Sequence, residues 1–129
     1  MLSRRPGFPG GGFAFFRMYN RTMHDCLFCS IAGGDPSKLV WSNEVAAAFK
    51  DINPKAPIHI LIVTKKHLTN LDELSDPALG GRLLMAVREV AEKVGVKGAY
   101  RVQINNGKSA GQVIEHLHIH LLGGKSMTD

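Results

Sequence analysis

The sequence predicts an α+β fold: an antiparallel sheet of about five strands, one long helix and a short N-terminal helix. Three observations carry that reading. Short apolar or alternating segments recur with turn residues between them. Only the stretch 77–94 keeps a helical apolar period over several turns. The strand–helix–strand alternation that builds a parallel sheet is missing. At 129 residues, 44% of them hydrophobic, the chain has the size and apolar content of one domain.

Residues 1–24 read as a leader apart from the domain at 25–129. The leader holds Arg4, Arg5, Arg17 and Arg21, no acid, and a Gly/Pro-rich run before Phe13-Ala14-Phe15-Phe16. It is read either as disordered and dispensable, with Met18 and Met23 as alternative starts, or as an organellar targeting segment. A cytoplasmic location is expected otherwise. The short helix spans Cys26 to Ile31 and stops at Gly33-Gly34-Asp35-Pro36. Leu39–Trp41 and Val45–Phe49 form two strands turning at Ser42-Asn43, and Asp51–Pro57 is a proline-fixed loop. His59–Val63 is nearly all apolar, as in a strand buried on both faces. Asp76 caps the long helix and Pro77 suits its first turn. Leu79, Leu83, Val87, Val90 and Val94 make its apolar stripe, and Gly95 ends it. Ala99–Ile104 is a strand, followed by the polar loop Asn105–Gly111.

Composition excludes some partners. The net charge is +5, but the leader carries four of those charges. From Asp25 onward 12 Lys/Arg face 11 Asp/Glu, so a broad nucleic-acid footprint is not expected. No apolar run approaches the roughly 18–20 residues that cross a bilayer, so no membrane partner is expected. The two cysteines, Cys26 and Cys29, sit three apart and suit metal or redox chemistry better than a disulfide scaffold.

The chemistry concentrates in Glu115-His116-Leu117-His118-Ile119-His120-Leu121-Leu122. As a strand, this segment puts three imidazoles on one face and Leu117, Ile119 and Leu121 on the other. Such a row suits a zinc hydrolase with metal-bound hydroxide. It equally suits covalent catalysis, because a neutral imidazole is a competent nucleophile toward phosphorus. Asn105, Gly107, Gly111 and Gln112 bring amide and backbone N–H donors just before the row. Donors fit a phosphate better than a metal ion, which tips the reading toward phosphate chemistry.

The segment His116–Leu122 resembles the His-φ-His-φ-His-φ-φ signature of the histidine triad (HIT) superfamily, φ being apolar. Gly111-Gln112, Asp51-Ile52, Ala56-Pro57-Ile58-His59 and Lys65-Lys66-His67 follow that family's order, and the resemblance is to its Hint-like nucleoside phosphoramidase branch. It covers roughly Asp25 to Gly124 and implies the HIT-like fold. It also implies that His118 attacks the α-phosphorus of a nucleoside 5′-phosphoramidate or related adenylylated substrate, forming a nucleotidyl-histidine that water resolves to AMP. His120 and His59 contact phosphate oxygens and assist the leaving group, with His116 as the third member of the catalytic row. Asp51 holds the ribose, and Phe28, Ile31, Phe49 and Ile52 wall the purine. Asn105, Gly111, Gln112 and the Val113 N–H bind phosphate.

The same resemblance implies a structural zinc on Cys26, Cys29, His67 and His116, no organic cofactor, and a homodimer joined through the long helix and the Ala99–Ile104 strand. The chain departs from the pattern in three places. Val113 stands where the branch has a hydroxyl residue. The Gly33–Pro36 segment lacks an apolar residue before its proline. The end at Asp129 is expected to deny a C-terminal tail contact with the partner's active site. A non-catalytic nucleotide-binding module is therefore a further alternative.

Overall fold

The computed structural model describes residues 26–128; the leader reading lies outside the described residues. Five strands form one antiparallel sheet: β1 (Trp41–Ser42), β2 (Ala46–Lys50), β3 (Ile58–Thr64), β4 (Tyr100–Gln103) and β5 (His118–Gly123). Their spatial order is β1-β2-β3-β5-β4, so the β4–β5 hairpin inserts its second strand against β3. Helix α1 (Leu27–Ala32) lies on one face of the sheet and α2 (Pro77–Lys93) on the other. This is the predicted α+β architecture.

Local chemistry sets the elements. Cys26 is the cap of α1 rather than its first residue, its sulfur accepting from the Cys29 N–H at 3.4 Å. The hairpin turn lies one to two residues later than predicted, because the Asn43 side chain accepts from Val45 and Ala46 N–H at 2.9 Å each. Asp76 caps α2 by accepting from Ala78 N–H at 2.9 Å, and Gly95 takes φ 84° just beyond its end.

The stripe of α2 is buried through Leu83, Val87 and Val90, joined by Ala86 and Ala91. The two alanines bring the helix close to Ile60, Ile62, Leu117, Ile119 and Leu121, the apolar faces of β3 and β5. The opposite sheet face packs Ala47, Phe49, Leu61 and Val63 against Phe28 and Ala32 of α1. β3 is thus buried on both faces, as its continuous apolar run requires. β4 and β1 form the edges, and Val102 on β4 is exposed, as are Leu84 and Met85 on α2. Among the described residues no helix is long and apolar enough to cross a membrane.

Candidate active site

The sheet register decides which side chains meet. In an antiparallel pair, directly opposite residues share a face. On the α1 face, Val63 is opposite His118, Leu61 opposite His120, and His59 opposite Leu122. β4 extends two of these rows, with Gln103 opposite His120 and Arg101 opposite Leu122. The row of histidines therefore faces α1, while Leu117, Ile119 and Leu121 face α2. Regular pairing begins only at His118, because Leu117 N–H donates to the Leu68 carbonyl at 2.7 Å.

Above this face lies a cavity of about 860 Å³. Eleven predicted site residues line it: Phe28, Ile31, Phe49, Asp51, Ile52, His59, Asn105, Gly111, Val113, His118 and His120. Two do not. Gln112 is buried and its amide is consumed: Oε1 accepts from Gly107 N–H at 2.8 Å, and Nε2 donates to the Thr69 and Ile114 carbonyls at 2.7 and 3.0 Å. It braces the loop instead of offering a donor to the cavity. That loop takes its sharp path with Gly111 at φ 98°, a left-handed conformation costly for other residues. His116 is fully buried beneath the cavity and aims at the two cysteines.

Hydrogen bonds fix the proton on each imidazole. His118 Nδ1 lies 2.7 Å from the His116 carbonyl, an acceptor only, so Nδ1 carries the proton and Nε2 keeps its lone pair. The Lys55 N–H donates to His59 Nδ1 at 2.9 Å, which places the His59 proton on Nε2. That Nε2–H is 2.9 Å from His120 Nδ1 and 3.3 Å from an Asp51 carboxylate oxygen. His120, accepting at Nδ1, therefore carries its own proton on Nε2. Burial pushes the His120 pKa down to about 4, helped by the neighbouring His118 and His59 and opposed by Asp51. Burial lowers His59 as well, with Asp51 opposing. The arrangement turns the Nε2 side of His118 to the cavity beside the N–H of a neutral His120. Phe28 packs its edge against His118 with ring centroids 5.0 Å apart.

Sequence reasoning passed over Lys55, Arg101, Gln103, Leu61, Ile114 and residues 125–128, all of which line the cavity. Arg101 and Gln103 alternate along β4, so period two puts them on one face; their pairing beside the histidines depends on a long-range register. Lys125–Thr128 run along the chain's own cavity, with an Arg101 N–H donating to the Thr128 carbonyl.

Cys26, Cys29, His67 and His116 gather so that their four ligand atoms lie within 4.8 Å of one another. Cys26 Sγ and Cys29 Sγ are 3.2 and 3.5 Å from His116 Nδ1, and Cys29 Sγ is 3.2 Å from His67 Nδ1. Tetrahedral zinc, with Zn–S near 2.3 Å and Zn–N near 2.0 Å, separates sulfur from nitrogen by roughly 3.6 Å. The donor set fits within a few tenths of an ångström. His116 Nε2 donates to the Thr64 carbonyl at 2.8 Å, leaving the Nδ1 lone pair directed at the cysteines. Burial holds His116 near pKa 4 and raises the Cys29 thiol to about 12, so a cation here must displace a thiol proton. A second group, Asp51, His59 and His120, also has its ligand atoms within 4.8 Å. Its nitrogens sit 2.9 Å apart as a hydrogen bond, closer than the roughly 3.3 Å between two nitrogens on zinc.

The HIT domain family profile matches residues 33–127, and the chain belongs to that family. A HIT-like protein of Synechocystis sp. is 41% identical over 104 residues, covering 78% of this chain and 91% of its own. The 14 kDa zinc-binding protein of Zea mays is 44% identical over 96 residues, covering 71% and 75% respectively. The crystal structure of a HIT family hydrolase from Legionella pneumophila superimposes with a TM-score of 0.73 at 38% identity, covering 80% of this chain and 96% of that one.

The lowered histidine pKa values fix the sign of the acid response. Between an ordinary value of 6.5 and about 4 the unfolded chain holds a proton on His120 that the folded chain does not. Stability is therefore flat above this window and falls as pH drops through it. Thermal melts at constant ionic strength should show a lower Tm at pH 4.5 than at pH 7.5, and His120→Gln should remove part of the difference. An unchanged Tm would contradict the buried neutral imidazole.

Proposed function

We propose that this protein is a purine nucleotide-binding hydrolase of the Hint-like branch, cleaving nucleoside 5′-phosphoramidates or related adenylylated compounds to AMP. The observation that supports it best is the bond from His118 Nδ1 to the His116 carbonyl, which keeps the Nε2 lone pair on the cavity side. In this reading Phe28, Ile31, Phe49 and Ile52 receive the purine, and Asp51 accepts from the ribose hydroxyls. His118 Nε2 attacks the α-phosphorus, forming the P–N bond to histidine as the bond to the leaving group breaks. His120 Nε2–H, held in that tautomer by His59, donates a hydrogen bond to the departing nitrogen, which takes its proton from solvent water and leaves as the amine. Water then attacks the nucleotidyl-histidine, its proton passes to solvent, and AMP leaves with His118 restored. Asn105 and the Val113 N–H serve the phosphate oxygens; Val113, 85% exposed at the cavity, provides no side-chain donor there.

Zinc in the Cys26–Cys29–His67–His116 cluster has a structural role in this account. Held by these four residues, it would tie α1 and the loop after β3 to the segment entering β5, and so steady the His116 carbonyl that holds His118. The exposed apolar residues Leu84, Met85 and Val102, with β4 at the sheet edge, support a homodimer across α2 and β4.

Turnover of an adenosine phosphoramidate separates this reading from the metal-hydroxide route. His118→Ala should lose activity by at least about a thousandfold, the scale of removing a nucleophile. Brief chelation that leaves the protein folded should spare most of it. Loss on chelation of a folded protein, with His118→Ala active, would favour the metal enzyme. AMP binding without any phosphoramidate turnover would leave a binding module.

Zinc content is a separate measurement. Protein purified without chelators should carry close to one equivalent, and Cys26→Ser should carry less and melt lower. Less than about half an equivalent in the wild type, with Cys26→Ser equally stable, would sink the structural zinc.

A further inference from the structure

The cavity has two chemically different halves. Phe28, Ile31 and Phe49 make an apolar half over α1 and β2, while β4 and residues 125–128 make a polar half across the histidines. Lys55, Arg101 and Lys125 line the cavity against one carboxylate among the described residues, Asp51, which faces His59. The histidines and the loop before β5 already provide for an α-phosphate, so these cations have no partner in the reaction derived above.

We propose that the polar half, centred on Arg101 and Lys55, is a subsite for an anionic leaving group, one bearing a carboxylate or a further phosphate. The inference rests on the nucleotide reading and specifies its substrate class. Its geometry comes from the register. Arg101, Leu122 and His59 form one row across the sheet, and His120 stands two residues along β5 in the next row on the same face. Alternate residues on a strand are about 6.7 Å apart, within reach of an arginine side chain. With the purine in the apolar half, a substituent on phosphorus beyond His120 extends toward Arg101. The Arg101 guanidinium gives one N–H to the Thr128 carbonyl and has others for a carboxylate or phosphate, which it can hold in bidentate fashion. Lys55 lines the same cavity beside the histidines: its backbone N–H holds His59, and its charge is among the influences that lower both His59 and His120.

Binding measurements test this without requiring turnover. Calorimetric titrations would compare three ligands: the methyl ester of AMP, its carboxymethyl ester, and ADP. Wild type should bind at least one anionic ligand about tenfold more tightly than the methyl ester, as a charge-assisted pair provides. Tightening by the carboxymethyl ester alone assigns the subsite to carboxylates, and by ADP alone to phosphates; either supports the proposal. The advantage should shrink to under about threefold in Arg101→Met or Lys55→Met proteins whose melting temperatures match wild type. Equal affinity for all three ligands in wild type overturns the subsite, as does an advantage that survives in both variants. Binding of none of the three overturns the nucleotide reading itself, and the subsite with it.

Discussion

The pairing of β5 between β3 and β4 is the constraint on which the rest depends. Side chains alternate strictly along a strand, so a one-residue slip would turn His118 and His120 toward α2 and put Ile119 and Leu121 in the cavity. The slip is resisted by the helix side. Leu117, Ile119 and Leu121 are at most 2% exposed and pack on Val87, Val90 and the small residues Ala86 and Ala91. Each fully buried aliphatic side chain contributes about 1.5–3 kcal/mol relative to exposure. The hydrophobic core on one face of the sheet thereby fixes the chemistry on the other.

From that register follows a set of protonation states, each enforced by a backbone group. The His116 carbonyl takes the proton side of His118, the Thr64 carbonyl takes that of His116, and the Lys55 N–H takes the lone-pair side of His59. Three similar imidazoles are thus differentiated, His116 and His118 by main-chain partners and His120 through His59. His116 turns its lone pair toward sulfur, His118 turns its lone pair toward the cavity, and His120 turns an N–H the same way. Burial keeps His116 and His120 neutral at physiological pH, a requirement for both metal ligation and neutral hydrogen-bond donation.

Much of the fold was legible because its signals are local. The period of Leu83, Val87 and Val90, the cap at Asp76 and the alternation of the histidine segment need only neighbouring residues. The signature reading brought eleven residues to one cavity for the same reason: the elements that carry them were correctly typed. What was missed depends on contacts distant in sequence. Gln112 looked like a free donor until the fold brought Thr69, 43 residues away, to its amide. Arg101 looked like an ordinary strand cation until β4 paired beside Leu122. His116 stands on the same face as His118, yet the segment entering β5 sets it under the cavity, where the cysteines of α1 meet it.

The central claim is that His118, held by the His116 carbonyl, forms a covalent bond to the nucleotide. Rapid acid quench of the protein with an adenosine phosphoramidate, followed by peptide mass analysis under conditions that preserve phosphoramidate bonds, tests it directly. The account predicts an adenylyl group on the peptide containing His118, located on that residue by fragmentation and absent from His118→Ala. Steady turnover with no adenylylated peptide at any quench time, or an adenylyl group on another residue, would contradict it.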